Sequence, residues 1–363
     1  MDHPYVRYSP EIEVITDDEA DLTQQIVAQM GRTNALNSKA AGKGIRDAHA
    51  KSHGFLKAVL AVHDDLPIEL AQGIFQPGRT YSTAVRLSSA PGVIHGDVVP
   101  VARGMALKVI GVEGERLLES DTGRNQDFLF VNIPVLTFGT VRKYKGLLDL
   151  LESNVNSPEI VQRAIAAAAR AASGAITVAG GTPGALIRGL GRDNHHLLGE
   201  TYHSMSAFRF GAYMAKLSLA PLSDNVRALT GRQVRNLGPG TFRDLVVEHF
   251  WDEGAEYEVR VQLCRDLHRM PIEDASVLWA DDLSPHVGVA TLRIAPQDAF
   301  SPDRQAYFED ILSFNPWHGV AAHRPLGSIN RIRIKAYERS TMARHAANAR
   351  PQTEPANIAD IPD

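Results

Sequence analysis

Between residues 55 and 131 the chain passes through four segments of strand character, 55–63, 81–89, 104–112 and 127–131, with turn formers such as Pro77-Gly78 and Pro91-Gly92 between them. Strand pattern returns at 207–219, 256–263 and 286–294. Helical spacing occurs at 18–31, where Leu22, Ile26, Val27 and Met30 share a face, and again from Pro134 to about 152, at 241–253 and at 303–313. Strands of antiparallel type in series, with helices gathered in the middle and near the end, predict an α+β fold: a β-barrel or large sheet with helices packed outside it. No internal repeat is present.

The remaining stretches set the predicted boundaries. Residues 1–10 read as an arm and 32–48 as a polar loop, so 1–40 is an arm with a short helix. A core runs over 41–345, and 346–363, with Pro351, Pro355 and Pro362, reads as a tail. Within the core, 158–190 is an Ala- and Gly-rich helical excursion, and Arg163, Arg170 and its glycines argue against a membrane helix.

The 363 residues suffice for one large domain or two ordinary ones, and 44% apolar with 22% charged residues is the balance of a globular protein. A net charge of −4 gives no reason to expect a nucleic-acid partner, and no run is apolar enough to span a bilayer. Met1–Pro10 lacks the order of a secretory signal, which predicts a cytoplasmic protein. Cys264 is the single cysteine, so neither an internal disulfide nor a cysteine-built metal cluster is available.

Three segments carry chemistry. Arg333 precedes Tyr337 by four residues, which on a helix places both side chains on one face. A guanidinium beside a phenol favours the phenolate, a hard anionic oxygen suited to Fe(III); alone, the pair reads equally as a surface contact. His49 and His53 follow Arg46 and precede Gly54 and a strand. Their spacing is also that of zinc ligands on a helix, but the glycine, the strand and the lack of a nearby carboxylate rank zinc low. Arg86 and Ser88 stand two apart, on one side of a strand.

Taken in order, these pieces resemble the catalase superfamily. Arg46-x-x-His49 is similar to its distal segment, Arg86-Leu87-Ser88 to its Arg-Phe-Ser strand, and Arg103-Gly104-Met-Ala-Leu-Lys108 to its Arg-Gly-Phe-Ala-Val-Lys strand. Asn132-Ile-Pro134-Val135, Ala207-Phe208-Arg209-Phe210, the run Pro271 to Trp279, Phe314-Asn315-Pro316 and Arg333-x-x-x-Tyr337 each resemble a later catalase segment, and Arg344 falls where a further propionate-binding arginine is found. The resemblance covers about residues 43 to 344. It implies an antiparallel eight-stranded β-barrel with surrounding helices and haem b in the barrel region. Tyr337 is then the iron ligand, as tyrosine is in catalases. Arg46, Arg86 and Arg344 hold the two haem carboxylates, and Arg333 supports Tyr337. His49 serves as general base and acid, supported by Ser88.

The departures matter. The distal loop is shorter than in catalases, which leaves His53 as a second candidate for the role of His49. The first of two adjacent catalase asparagines falls on Val131. The distal amide is therefore Asn132, Asn125 or lost. The sequence resembles a reduced catalase, so the expected activity is a peroxidase acting on organic hydroperoxides or hydrogen peroxide in oxidative-stress defence, with catalase activity second. A lipid-hydroperoxide isomerase or lyase of the allene-oxide-synthase type and a non-catalytic haem-binding protein are the alternatives. The expected partners are the hydroperoxide, an electron donor of unknown identity, and further copies of the chain in a dimer or tetramer.

Overall fold

The computed structural model describes residues 4–153 and 194–363; the expected excursion at 158–190 lies outside them. Its strands are β1 (Lys51–Val62), β2 (Thr80–Ser89), β3 (Arg103–Ile110), β4 (Asn125–Val131), β5 (Tyr202–His203), β6 (Phe208–Phe210), β7 (Tyr213–Pro221), β8 (Ala255–Leu263) and β9 (Val287–Ile294). Its longer helices are α1 (Glu19–Ala41), α2 (Val141–Ser153), α3 (Thr241–Asp252), α4 (Pro302–Ala306) and α5 (Ser328–Asn348).

Strands β1 to β5 pair antiparallel in sequence order, as do β6 to β9, and β9 returns to β1 through Val59↔Arg293 to Val62↔Ala290. β5 and β6 share one edge of β7 and form a single interrupted strand, so the sheet is a closed eight-stranded barrel. Alternation along the strands explains the closure. Leu56 and Leu60, Val85 and Leu87, Leu107, Phe128 and Phe130, Leu217 and Leu219, and Val259 and Val261 join one buried cluster that fills the interior. Each such side chain contributes about 1.5–3 kcal/mol. The opposite parity faces out: Phe55, Ala84 and Ile110 pack beneath Phe308, Leu312, Phe314 and Ile361. Among the described residues no helix is long and apolar enough to cross a membrane.

Four local expectations are corrected. β1 starts at Lys51, four residues before the predicted start, and a bulge at Ser52/Gly54 accommodates the extra residue His53. Residues 32–41, read as loop, continue α1, which ends only at Gly42 in the left-handed region; packing against α2 and α5 overrides a weakly apolar pattern. The helix expected at 303–313 is α4 followed by a wide π-type turn, Tyr307–Ile311. The expected tail is packed: Ile361 is buried, and Glu354 lies 2.6 Å from the buried Lys108.

Candidate functional site

A cleft with about 900 Å³ of open space, counted to its mouth, lies between the outward face of β2–β4 and helix α5. The wall is built by strand parity. Arg86 and Ser88, Gly104 and Ala106, and Leu129 and Val131 alternate with the residues that fill the barrel, and all six line the cleft. Helix α5 supplies Arg333, Ala336, Tyr337, Ser340, Thr341 and Arg344 at helical spacing, and the loop after α1 supplies Arg46, Asp47 and His49.

Among the described residues His49 is the only histidine lining this cleft. Its backbone is in the left-handed region at φ +55°, held there by its N–H on Ala90 O at 2.8 Å and by Arg86, whose guanidinium donates to its carbonyl at 2.6 Å. Nδ1 lies 2.9 Å from Ser88 Oγ. The ring rests on Gly104, where any Cβ would come within 2.5 Å of Nδ1 and Cε1, so glycine is required by close approach. Burial, reinforced by Arg86, Arg333 and Arg46, drives the imidazole pKa down to about 3. The ring is therefore neutral at pH 7 and available as a base.

Tyr337 faces the cleft from α5. Arg333 donates to its hydroxyl oxygen at 3.1 Å and to Asn330 Oδ1 at 3.0 Å, as the four-residue spacing requires. At another end of the cleft Arg46, Arg86 and Arg344 come together. Arg46 donates to the carbonyls of Phe308 and Leu312, and Arg344 to those of Glu309 and Leu312 and to Ser313 Oγ. The wide turn Tyr307–Ile311 presents these carbonyls. Arg86 donates to Ser52 Oγ at 2.8 Å, while its buried Nε has no partner. Burial comes first in lowering Arg46 to about 10, Arg344 to about 8 and Arg86 well below its ordinary value; the charge of Arg46 adds to it at Arg86 and Arg344, while Glu309 opposes it at all three. Guanidinium groups stay protonated in proteins, so this is a buried cluster of three cations held by backbone carbonyls and hydroxyls, with Glu309 and Asp310 near enough to offset its charge in part.

Seven of the eight site residues expected from sequence thus meet in one cleft: Arg46, His49, Arg86, Ser88, Arg333, Tyr337 and Arg344. Asn132 does not. β4 ends at Val131, whose side chain lines the cleft, and Asn132 turns back so that Oδ1 accepts the Arg103 N–H at 2.8 Å. Asn125 donates instead to Glu354 and Pro355 at 3.1 Å each. His53 is fully buried, with Nε2 2.7 Å from Ser89 Oγ and its ring edge-on to Phe242. Sequence reading missed the apolar lining from Met30, Met205 and Phe314, and it missed Asp47. Only Asp47 carried a signal, as a lone carboxylate between two expected site residues.

No family model matches the sequence, and no curated protein does. Solved structures do match. A fungal catalase superposes with a TM-score of 0.57 at 15% identity, over 96% of this chain and 67% of its own. Catalase A from Saccharomyces cerevisiae gives 0.57 at 15% identity, over 100% and 76%, and a bacterial catalase gives 0.55 at 15%, over 95% and 64%. At this identity the likeness concerns architecture, and together with the closed barrel it establishes that the chain has the catalase fold.

Proposed function

We propose that this chain is a haem-dependent hydroperoxidase, acting first on organic hydroperoxides as a peroxidase and second on hydrogen peroxide as a catalase. The observation that carries the proposal is the convergence of a neutral histidine, an arginine-supported tyrosine and a buried arginine cluster on one cleft. The residues fit haem b. Arg46, Arg86 and Arg344 match its two carboxylates, and the unpartnered Nε of Arg86 is a donor awaiting one. Tyr337 offers the oxygen ligand, while Ala106, Leu129, Phe314 and Ala336 offer apolar walls for the macrocycle. When bound, the haem supplies the iron at which a peroxide O–O bond is cleaved and the two oxidising equivalents are held.

The protein's own contribution is proton handling and exclusion of water. In the tautomer that donates from Nδ1 to Ser88, His49 Nε2 keeps its lone pair. It takes the proton from the hydroperoxide O–H and delivers it to the departing oxygen, so that an alcohol or water leaves rather than its anion. Arg333 places positive charge beside the Tyr337 oxygen. Overall, a hydroperoxide, two electrons from an external reductant and two protons give an alcohol and water.

Val131 in place of a distal amide supports peroxidase over catalase activity. Among the described residues no side-chain amide lines the cleft to orient a second hydrogen peroxide, and Met30, Leu129 and Met205 suit a carbon chain. The test is reconstitution with haem, followed by the absorption spectrum and by hydroperoxide consumption with and without a phenolic reductant. A tyrosinate-type ferric spectrum with reductant-dependent consumption is expected. Consumption of an organic hydroperoxide without reductant moves the assignment to an isomerase or lyase, binding without turnover moves it to a haem carrier, and failure to bind haem overturns the proposal.

A further inference from the structure

We propose that Asp47 is a positioning residue for His49: its carboxylate clasps the loop that carries His49 to the helix that carries Tyr337. The proposal rests on the reading that His49 faces the hydroperoxide. Asp47 lies two residues before His49, in a segment without helix or strand structure of its own. Oδ2 accepts from the Arg339 guanidinium. Oδ1 accepts the Ser340 hydroxyl at 2.9 Å, and Ser340 Oγ receives the Asp47 N–H at 3.4 Å. Arg339 and Ser340 are the second and third residues after Tyr337.

The clasp is buried, with the Asp47 side chain 6% exposed and that of Arg339 26% exposed. Arg339 in turn lies across Gly31 of α1, where a Cβ would come within 3.0 Å of the guanidinium. Three elements therefore meet on one carboxylate. On its other side the same loop is pinned to the segment after β2, through His49 N–H on Ala90 O at 2.8 Å and Ala50 N–H on Pro91 O at 3.1 Å. A histidine at φ +55° persists only where its surroundings over-determine it. Asp47 supplies the constraint from the α5 side. It thereby sets the separation between the imidazole, which would face the hydroperoxide, and the Tyr337 hydroxyl, which would hold the haem iron. A misplacement of about 1 Å at such a pair costs on the order of a hundredfold in rate.

The test uses the full chain with Asp47→Ala, Arg339→Ala and the double substitution; isosteric Asp47→Asn serves if Asp47→Ala does not fold. Amide hydrogen exchange at His49 and Ala50, measured on the chain before haem is added, is expected to quicken about tenfold in each single variant and no further in the double. After reconstitution with haem, the association rate of cyanide gives a second readout without turnover. Hydrogen cyanide must surrender its proton to the distal base as it binds, so a mispositioned His49 slows it, by about tenfold, at unchanged haem retention. Wild-type exchange at both amides in Asp47→Ala, or acceleration spread evenly over the barrel strands, overturns the clasp. So does an unchanged cyanide rate. A chain that takes up no haem sinks the functional reading instead, and exchange at His49 and Ala50 then decides the clasp by itself.

Discussion

At the scale of single residues, His49 carries the most consequence. Replacing it with alanine should leave the haem arginines in place and slow hydroperoxide cleavage by roughly 10²–10⁴-fold; stopped-flow mixing of the reconstituted variant with an organic hydroperoxide measures this. Gly104→Ala is a sharper probe, because the added methyl would meet the imidazole at 2.5 Å. Cleavage should fall toward the His49→Ala level while the far-ultraviolet dichroism stays unchanged, and wild-type turnover would show that the ring does not depend on this approach. His49 could be read as a candidate from sequence through Arg46-x-x-His49, whereas Gly104 stood only in a strand-like segment and its contact with the ring emerged from the fold. The amide could not be assigned that way. Whether Asn132 or Val131 faced the cleft depended on where β4 ends, and a one-residue change in a strand moves a side chain to the opposite face.

At the scale of elements, helix α5 is the scaffold of the site, and its N-terminal end is fixed by Arg331. That side chain, 11% exposed, donates to Glu13 at 2.7 Å, to Glu19 at 2.6 Å and to Glu273 at 2.9 Å, tying together the arm, α1 and the loop after β8. These contacts hold its pKa above the ordinary guanidinium range. Arg331→Ala leaves those carboxylates facing one another without a cation. A loss of about 3–5 kcal/mol is expected from urea unfolding, with the Arg333–Tyr337 end of the helix loosened. A loss under 1 kcal/mol would show the cluster to be dispensable. The four-residue spacing of Arg333 and Tyr337 made their shared face legible in advance. The role of Arg331, in the same motif, was not legible, because its partners lie 58 to 318 residues away in the chain.

At the scale of the whole molecule, pH bears on stability through buried neutral histidines. His323 is fully buried among Phe75, Phe128 and Phe210, with Nε2 accepting the Ile74 N–H at 3.0 Å. Burial lowers it to about 3, and His196 to about 4. The unfolded chain protonates such groups below about 6.5 and the folded chain does not, so unfolding takes up protons and stability falls as pH drops from about 6.5 toward 4. His323 alone should contribute close to about 1.4 kcal/mol per pH unit in that window. His323→Phe should be less stable at pH 7, for want of the Ile74 bond, yet show a shallower decline between pH 6 and 4 in urea titrations; parallel slopes would refute the assignment. The C-terminal strap acts at the same scale. Glu354 reaches Lys108, which is fully buried and paired with Asp127 at 2.8 Å, and Ile361 is buried against the barrel wall. Truncation after Arg350 should cost several kcal/mol, as expected for exposing an apolar anchor and removing one partner of a buried ion pair, lowering the thermal midpoint measured by calorimetry.

By itself the sequence determined most of the barrel strands and the α+β class, and it marked seven residues that line one cleft, because these depend on local period and on short contiguous motifs: alternation at two residues, a shared helix face at four, Arg46-x-x-His49 and Arg86-x-Ser88; it did not mark β5, and the run 207–219 divides into β6 and β7. Tertiary structure alone decided the rest. The strap at 354–363 and the second half of α1 have little local signal, since partners distant in sequence hold them. The bulge at Ser52/Gly54 separates the two histidines, with the His49 imidazole on the cleft and that of His53 in the core. The Asp47 clasp is visible only once residues 292 and 293 positions apart meet. Contacts of that range leave no periodic trace in a single chain, because the chain pattern records which face is buried and not what covers it.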